Sequence, residues 1–118
     1  MATNPVPVSE LVLTTESTPT GITVFCTGKI TSDTAHRLKA TVKPLFSESK
    51  TVVLDLTNAN YMDSSGLGAI AGLYVSARAA KSQLKLINLN KHLKEIFSIT
   101  RLGQFMAEGR DPEDHVLP

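Results

Sequence analysis

The stretch Tyr61-Met62-Asp63-Ser64-Ser65-Gly66-Leu67-Gly68 joins two segments with different hydrophobic patterns. Before it, the short run from Thr51 to Leu56 is apolar and β-branched, which is typical of strands buried on both faces of a parallel sheet. After it, apolar residues recur at helical spacing from Leu67 to Ala77, which predicts a helix that runs to about Lys81. These patterns predict a central strand, a polar loop over residues 57–60, and a turn that starts a helix.

The segment before the central strand predicts a hairpin and a helix. Residues 11–15 and 22–30 have the pattern of strands, and the turn residues between them favour an antiparallel hairpin. Apolar residues on one face then indicate an amphipathic helix, for which Ser32 or Asp33 is the expected N-cap. Because proline lacks a backbone donor, Pro44 is expected either to kink this helix or to end it near Lys43.

The segment after the second helix continues the alternation of strands and helices. Residues 83–89 are a predicted strand, residues 91–100 a predicted helix, and Phe105-Met106 a possible short edge strand. An αβαβα order after a hairpin predicts an α/β domain with right-handed parallel crossovers. The expected organisation is an N-terminal arm at 1–9, one domain at 10–108, and a partly disordered tail at 109–118.

Composition excludes several classes of function. The chain has 118 residues, and its 12 basic and 11 acidic residues leave a net charge of +1, which gives no large electrostatic footprint for nucleic acid. No run approaches the roughly 20 apolar residues of a membrane span, and the first ten residues do not resemble a secretory signal. The single cysteine, Cys26, lies in an apolar strand and is predicted to pack in the core. We therefore expect a cytoplasmic protein with no direct membrane insertion.

Motifs for catalysis and cofactors do not fit their contexts. Residues 66–71 match the letters G-x-G-x-x-A, but nine residues separate Leu56 from Gly66 and no acid follows at the ribose position. The G-x-S-x-G pattern of a hydrolase fails around both Ser64 and Ser65. The three histidines have no metal-ligand spacing. The sequence thus predicts no catalytic residue, metal or cofactor, and a protein that is not an enzyme.

Asp63, Ser64 and Ser65 stand where the second helix is predicted to begin, and the glycines behind them would leave room for another molecule. The ordinary explanation is an N-cap, which contributes about 1 kcal/mol. The alternative is a modification site, because a phosphoserine adds about −1.5 to −2 charges and three acceptor oxygens. A partner packed on this small surface would then face a dianion, so the modification could switch binding without unfolding the domain.

Four elements together resemble one known family, the STAS domain in its small single-domain form, the anti-sigma factor antagonist. They are Gly28-Lys29-Ile30-Thr31, the strand at 52–56, the motif at 62–68, and Leu84-Lys85-Leu86. The resemblance implies a mixed sheet of four to five strands flanked by helices, in which an N-terminal β-hairpin precedes βαβα units. It also implies a monomer or weak dimer that switches partners.

In that family the unmodified domain binds an anti-sigma factor that is also a serine kinase, which frees the sigma factor. The kinase then phosphorylates the serine after the motif aspartate, and a serine phosphatase resets the domain. Carried over by position, the phosphorylated residue is Ser64. The partner-binding residues that the resemblance implies are Asp63, Ser64, Ser65, Gly66, Leu67, Thr31 and Asp33.

The chain departs from the family where antagonists often carry Gly-Glu-Leu-Asp. Here Lys29 and Thr31 replace two acids, and Asp33 lies two positions later. This departure motivates a second hypothesis, in which the chain is a STAS subunit of a stress-signalling scaffold or of a membrane transporter assembly.

Overall fold

Strands and helices alternate along the chain in a computed structural model that describes residues 11–99 and 114–116. The strands are β1 (Leu11–Thr18), β2 (Gly21–Ile30), β3 (Thr51–Met62), β4 (Gln83–Ile87) and β5 (Asp114–Val116). The α-helices are α1 (Ala35–Val42), α2 (Ser64–Ala79) and α3 (Lys91–Ile99), and a 3-10 helix (Lys43–Ser47) follows α1.

The strands form one mixed sheet in the order β1-β2-β3-β4-β5. β1 pairs with β2 antiparallel, which confirms the predicted hairpin. β2, β3 and β4 are parallel neighbours, so the chain between them crosses over through α1 and then α2. The carboxyl ends of β2 and β3 therefore lie side by side, at the edge of the sheet where α2 begins. The predicted α/β class with a mixed sheet is confirmed.

The polar loop predicted at residues 57–60 is wrong, because β3 continues through it to Met62. The second half of β2 supplies its partners, with Thr27 opposite Asn58 and Ile30 opposite Met62. Two register shifts interrupt this pairing, so the side chain of Asn58 is exposed while Ala59 and Met62 are buried. The backbone thus stays in the sheet although the sequence carries turn-forming residues.

The predicted N-cap of α1 is also wrong, whereas its end is confirmed. The N-cap is Thr34, which is 2% exposed and does not use its side chain to cap the helix. Its hydroxyl instead donates to the Lys29 carbonyl oxygen at 2.8 Å and accepts from the Thr31 N–H at 2.9 Å. α1 ends at Val42, where the 3-10 helix begins with Pro44 in its first turn.

The core lies between the sheet and the helices and is almost entirely aliphatic. Burial raises the pKa of the Cys26 thiol to about 12, and the negative charge of Asp55 adds to that rise. Cys26 is therefore a packed, neutral thiol, as predicted. The largest fully buried side chains are Phe97, Leu11, Ile30, Leu38, Leu54, Leu56, Met62, Ile70, Leu73, Leu84, Leu86 and Leu93.

The structure describes only part of the two ends of the chain, where the predicted domain boundaries lie. Within the described residues, no helix is long and apolar enough to cross a membrane. In the predicted tail, β5 pairs antiparallel with β4, with His115 opposite Leu86. The predicted arm at 1–9 and the edge strand near Phe105-Met106 lie outside the described residues. The division at 10–108 stays a prediction.

Candidate functional site

The junction between β3 and α2 is organised by the carboxylate of Asp63. Asp63 is the N-cap of α2, and its Oδ1 accepts a hydrogen bond from the Gly66 N–H at 3.0 Å. Ser64 and Ser65 are the first two residues of the helix, and both are exposed. The Ser64 hydroxyl makes no hydrogen bond to any residue in the described part of the chain. Ordinary capping by Asp63 and an accessible serine therefore coexist here.

Asp63 also holds the loop that connects β2 to α1. Its backbone N–H donates to the Ile30 carbonyl oxygen at 3.2 Å, and its Oδ2 accepts from the Ser32 N–H at 3.4 Å. These bonds place the loop that contains Thr31 and Asp33 beside the start of α2. Thr31 is half-buried and its hydroxyl accepts from the Asp33 N–H at 3.3 Å, while Asp33 is exposed. The residues implied by the family resemblance thus come from the loop between β2 and α1 and from the start of α2.

The two glycines of the motif have different surroundings. Gly66 is buried, and a methyl group built on it would overlap the Ile30 carbonyl oxygen. Its missing side chain therefore lets α2 approach β2 closely, and does not open the surface to another molecule. Gly68 is exposed with no atom within 4 Å of a built Cβ, so it is the one of the pair that leaves open surface. Leu67 between them packs partly against the core.

The extension of β3 changes one reason for rejecting a dinucleotide site. The strand ends at Met62, so three residues and not nine separate it from Gly66. The rejection now rests on the place of Gly66 in the helix, since the first glycine of that fingerprint makes the tight turn between strand and helix. Gly66 is instead the third residue of α2, where it packs against Ile30. Among the described residues there is also no group of three or more His, Cys, Asp or Glu side chains that could hold a metal ion.

One feature of this edge was missed by sequence reasoning: an exposed stack of three side chains from β2, β3 and α3. The Tyr61 ring, 42% exposed, stacks on His92 with ring centroids 5.8 Å apart and planes 18° apart. The Lys29 Nζ lies 5.6 Å from the centre of the same ring. Lys29 and Tyr61 are direct register partners of the parallel strands, a signal that appears only once β3 is known to reach residue 62.

Asn90 fixes the start of α3 at the same edge. Its side-chain oxygen accepts from the Leu93 N–H at 2.8 Å, which caps the helix. Its amide nitrogen donates to the Ala59 carbonyl oxygen in β3 at 2.9 Å. Asn90 thus joins the start of α3 to β3 through two hydrogen bonds to backbone groups. These bonds hold His92 beside Tyr61.

Comparisons with known proteins agree with this architecture. The STAS domain family profile matches residues 12–115. The chain is 36% identical over 87 residues to the anti-sigma-B factor antagonist of Listeria monocytogenes, covering 72% of this chain and 75% of that protein. It is 33% identical over 81 residues to the protein of the same name from Bacillus subtilis, covering 69% and 74%.

A solved structure shows the same fold at lower sequence identity. An anti-sigma factor antagonist from Mycobacterium paratuberculosis superposes with a TM-score of 0.74, covering 85% of this chain and 86% of that one. Because the two sequences are only 17% identical, this likeness bears on the fold alone.

Proposed function

This chain belongs to the STAS domain family, and from that membership we propose that it is a cytoplasmic anti-sigma factor antagonist controlled by phosphorylation of Ser64. It acts as a binding module and not as an enzyme. Unmodified, it binds a serine-kinase anti-sigma factor and so releases a sigma factor. Phosphorylation by that kinase ends the interaction, and a serine phosphatase restores it. The observation that carries the proposal is the exposed Ser64 hydroxyl directly after the Asp63 N-cap.

The geometry supports Ser64 as a phosphate acceptor because the hydroxyl is reachable and uncommitted. Ser64 is exposed, and it makes no hydrogen bond within the described residues that a kinase would have to break. It lies in the first turn of a helix of 16 residues, where the backbone N–H groups and the helix dipole favour an anion. The product would therefore be tolerated by the domain itself.

A phosphate at Ser64 would act chiefly on a partner. On α2 the adjoining exposed residues are small, namely Ser65 and Gly68, and they allow close approach of another protein. A group with about −1.5 to −2 charges would have to be desolvated in such an interface, next to the carboxylate of Asp63. Burying a charge without a partner group is costly. The modified domain is therefore expected to lose its affinity for the anti-sigma factor.

Ser65 is the competing acceptor, since it is also exposed and is the next residue in the helix. We favour Ser64 because the family resemblance assigns phosphorylation to the serine directly after the motif aspartate. Ser65→Ala is the matched control for Ser64→Ala, because both substitutions remove one exposed hydroxyl from the first turn of α2.

The test uses the chain and the anti-sigma factor kinase of its own organism. With ATP, intact mass is expected to rise by one phosphate in the wild type and in Ser65→Ala, but not in Ser64→Ala. Calorimetry is expected to show that Ser64→Ala binds the kinase and that Ser64→Asp binds it far more weakly. Equal binding of these two Ser64 variants would refute the switch, and a phosphate on Ser64→Ala would move it to another residue.

A further inference from the structure

The stack formed by Lys29, Tyr61 and His92 has the composition of a recognition surface. The exposed tyrosine ring offers a large rigid area, with a cation 5.6 Å from its centre and an imidazole stacked beside it. Tyrosine is one of the residues that most often dominate binding energy at interfaces. None of the three is needed to fill the core, because Tyr61 and His92 are exposed and Lys29 is half-buried.

The start of α3 adds positive charge where helix stability disfavours it. The first turn of α3 contains no acid and begins with Lys91 followed by His92. Cations at a helix N-terminus are disfavoured by the helix dipole. Lys91 and Lys94 are both exposed, and Glu95 is the one acidic residue in the same helix. The exposed start of α3 is therefore net positive, although an acid there would stabilise the helix better.

We infer that Lys29, Tyr61, Lys91 and His92 form an interaction surface for an acidic segment of the anti-sigma factor. We name these four residues the basic-aromatic patch. The inference rests on the proposed function for the identity of the partner. Charge complementarity selects the occupant, because the carboxylates of an aspartate- or glutamate-rich segment have the charge opposite to that of the lysines.

The patch adjoins the site of modification without being part of it. Tyr61 and Ser64 are three positions apart, which corresponds to about 10 Å along an extended chain. One partner could therefore span both places, since an ordinary interface buries about 800 Å² on each protein. Asp63, which lies between them, already uses both carboxylate oxygens on backbone N–H groups. The Asp63 carboxylate is therefore held by the backbone of the chain itself.

A hexaglutamate peptide is a direct probe of this surface. Titrated into the ¹⁵N-labelled full chain at low salt, it is expected to shift the amide resonances of the patch more than those of other surface lysines. The shifts are expected to weaken as salt is raised, because exposed charges are screened. Hexalysine is the matched control, and it should leave the patch unchanged. Equal shifts at all lysines, or no binding of hexaglutamate, would overturn the inference.

Charge reversal gives the second arm of the test. Lys29→Glu and, on a different element, His92→Ala are expected to weaken peptide binding, Lys29→Glu by about fivefold or more. Lys50→Glu makes the same charge change at the opposite end of the sheet, just before β3, and is expected to have little effect. If Lys50→Glu weakened binding as much as Lys29→Glu, the interaction would be non-specific and the inference wrong.

The two proposals fail separately in these experiments. Ser64→Ala is expected to bind hexaglutamate like the wild type, because Ser64 is outside the patch. A chain that is never phosphorylated, but binds the peptide at residues 29, 61, 91 and 92, would refute the switch and keep the surface. A chain that switches at Ser64, but binds the peptide elsewhere or not at all, would keep the switch and refute the surface.

Discussion

Replacing Gly66 by alanine tests how α2 is held against the sheet. The added methyl group would lie 2.8 Å from both Ile30 Cγ2 and Met62 Cγ, and it would overlap the Ile30 carbonyl oxygen. The two side chains can rotate, but the carbonyl oxygen belongs to strand backbone and accepts the Asp63 N–H. The overlap can therefore be relieved only if α2 moves away from β2.

The magnitude follows from two opposing terms. Overpacking of this kind costs about 1–3 kcal/mol, and contact with fixed backbone places Gly66→Ala toward the upper end. Alanine recovers up to about 1 kcal/mol through its higher helix propensity. We therefore expect a net loss of about 2 kcal/mol in the free energy of unfolding. The Asp63 amide should also exchange its hydrogen faster, because its bond to Ile30 lies at the point of overlap.

Gly68→Ala is the matched control, since it makes the same chemical change two residues later in the same helix. Nothing lies within 4 Å of its built Cβ, so the substitution is expected to stabilise the protein by up to about 1 kcal/mol. Urea unfolding followed by far-UV circular dichroism measures both changes, provided that the m-values agree. A Gly66→Ala variant as stable as the wild type, or a shift of the same sign in both variants, would refute this reasoning.

Two further predictions use the same unfolding assay. Thr34→Val removes the hydroxyl that donates to the Lys29 carbonyl oxygen and accepts from the Thr31 N–H, so it is expected to lower the free energy of unfolding by about 2 kcal/mol. Thr34→Ser keeps a hydroxyl and should keep most of the stability. Equal losses in the two variants would contradict this role of the hydroxyl. Burial raises the pKa of the Cys26 thiol, so the unfolded chain loses the thiol proton at a lower pH than the folded chain does. The free energy of unfolding of the wild type should therefore fall by about 1 kcal/mol per pH unit between pH 9 and 11, relative to that of Cys26→Ala. A constant difference between these two proteins over that range would show that the thiol is not shielded.

Local patterns in the sequence were sufficient for the order and type of most elements. The alternation from Ile22 to Ile30 predicts β2, and the apolar run from Thr51 predicts the centre of the sheet. Asp63 is a residue type that caps helices, and it does so here. Each of these signals depends on neighbours within a few positions, which is why it can be read without knowing the fold.

The features that were missed depend on contacts between distant segments. Asn58 and its neighbours are turn formers, and only the shifted pairing with β2 keeps them in β3. Thr34 is the N-cap of α1 in place of Ser32 or Asp33, because its hydroxyl donates to the Lys29 carbonyl oxygen at the end of β2. The stack of Tyr61 on His92 joins two residues that are 31 positions apart in the sequence. No local pattern encodes such pairs, although strand register would have revealed Lys29 beside Tyr61.

The position of Asp63 also determines where the effect of a phosphate at Ser64 would be felt. The carboxylate is fixed by the N–H groups of Gly66 and Ser32, so its repulsion of a phosphate on the next residue cannot be relieved by rotation. The helix dipole opposes that repulsion, and at an exposed site each effect amounts to about 1 kcal/mol or less. The two contributions nearly cancel, so the stability of the domain should barely change on modification. A bound partner has no such compensation, because it must exclude water from the dianion, and the free energy of the switch therefore lies in the interface.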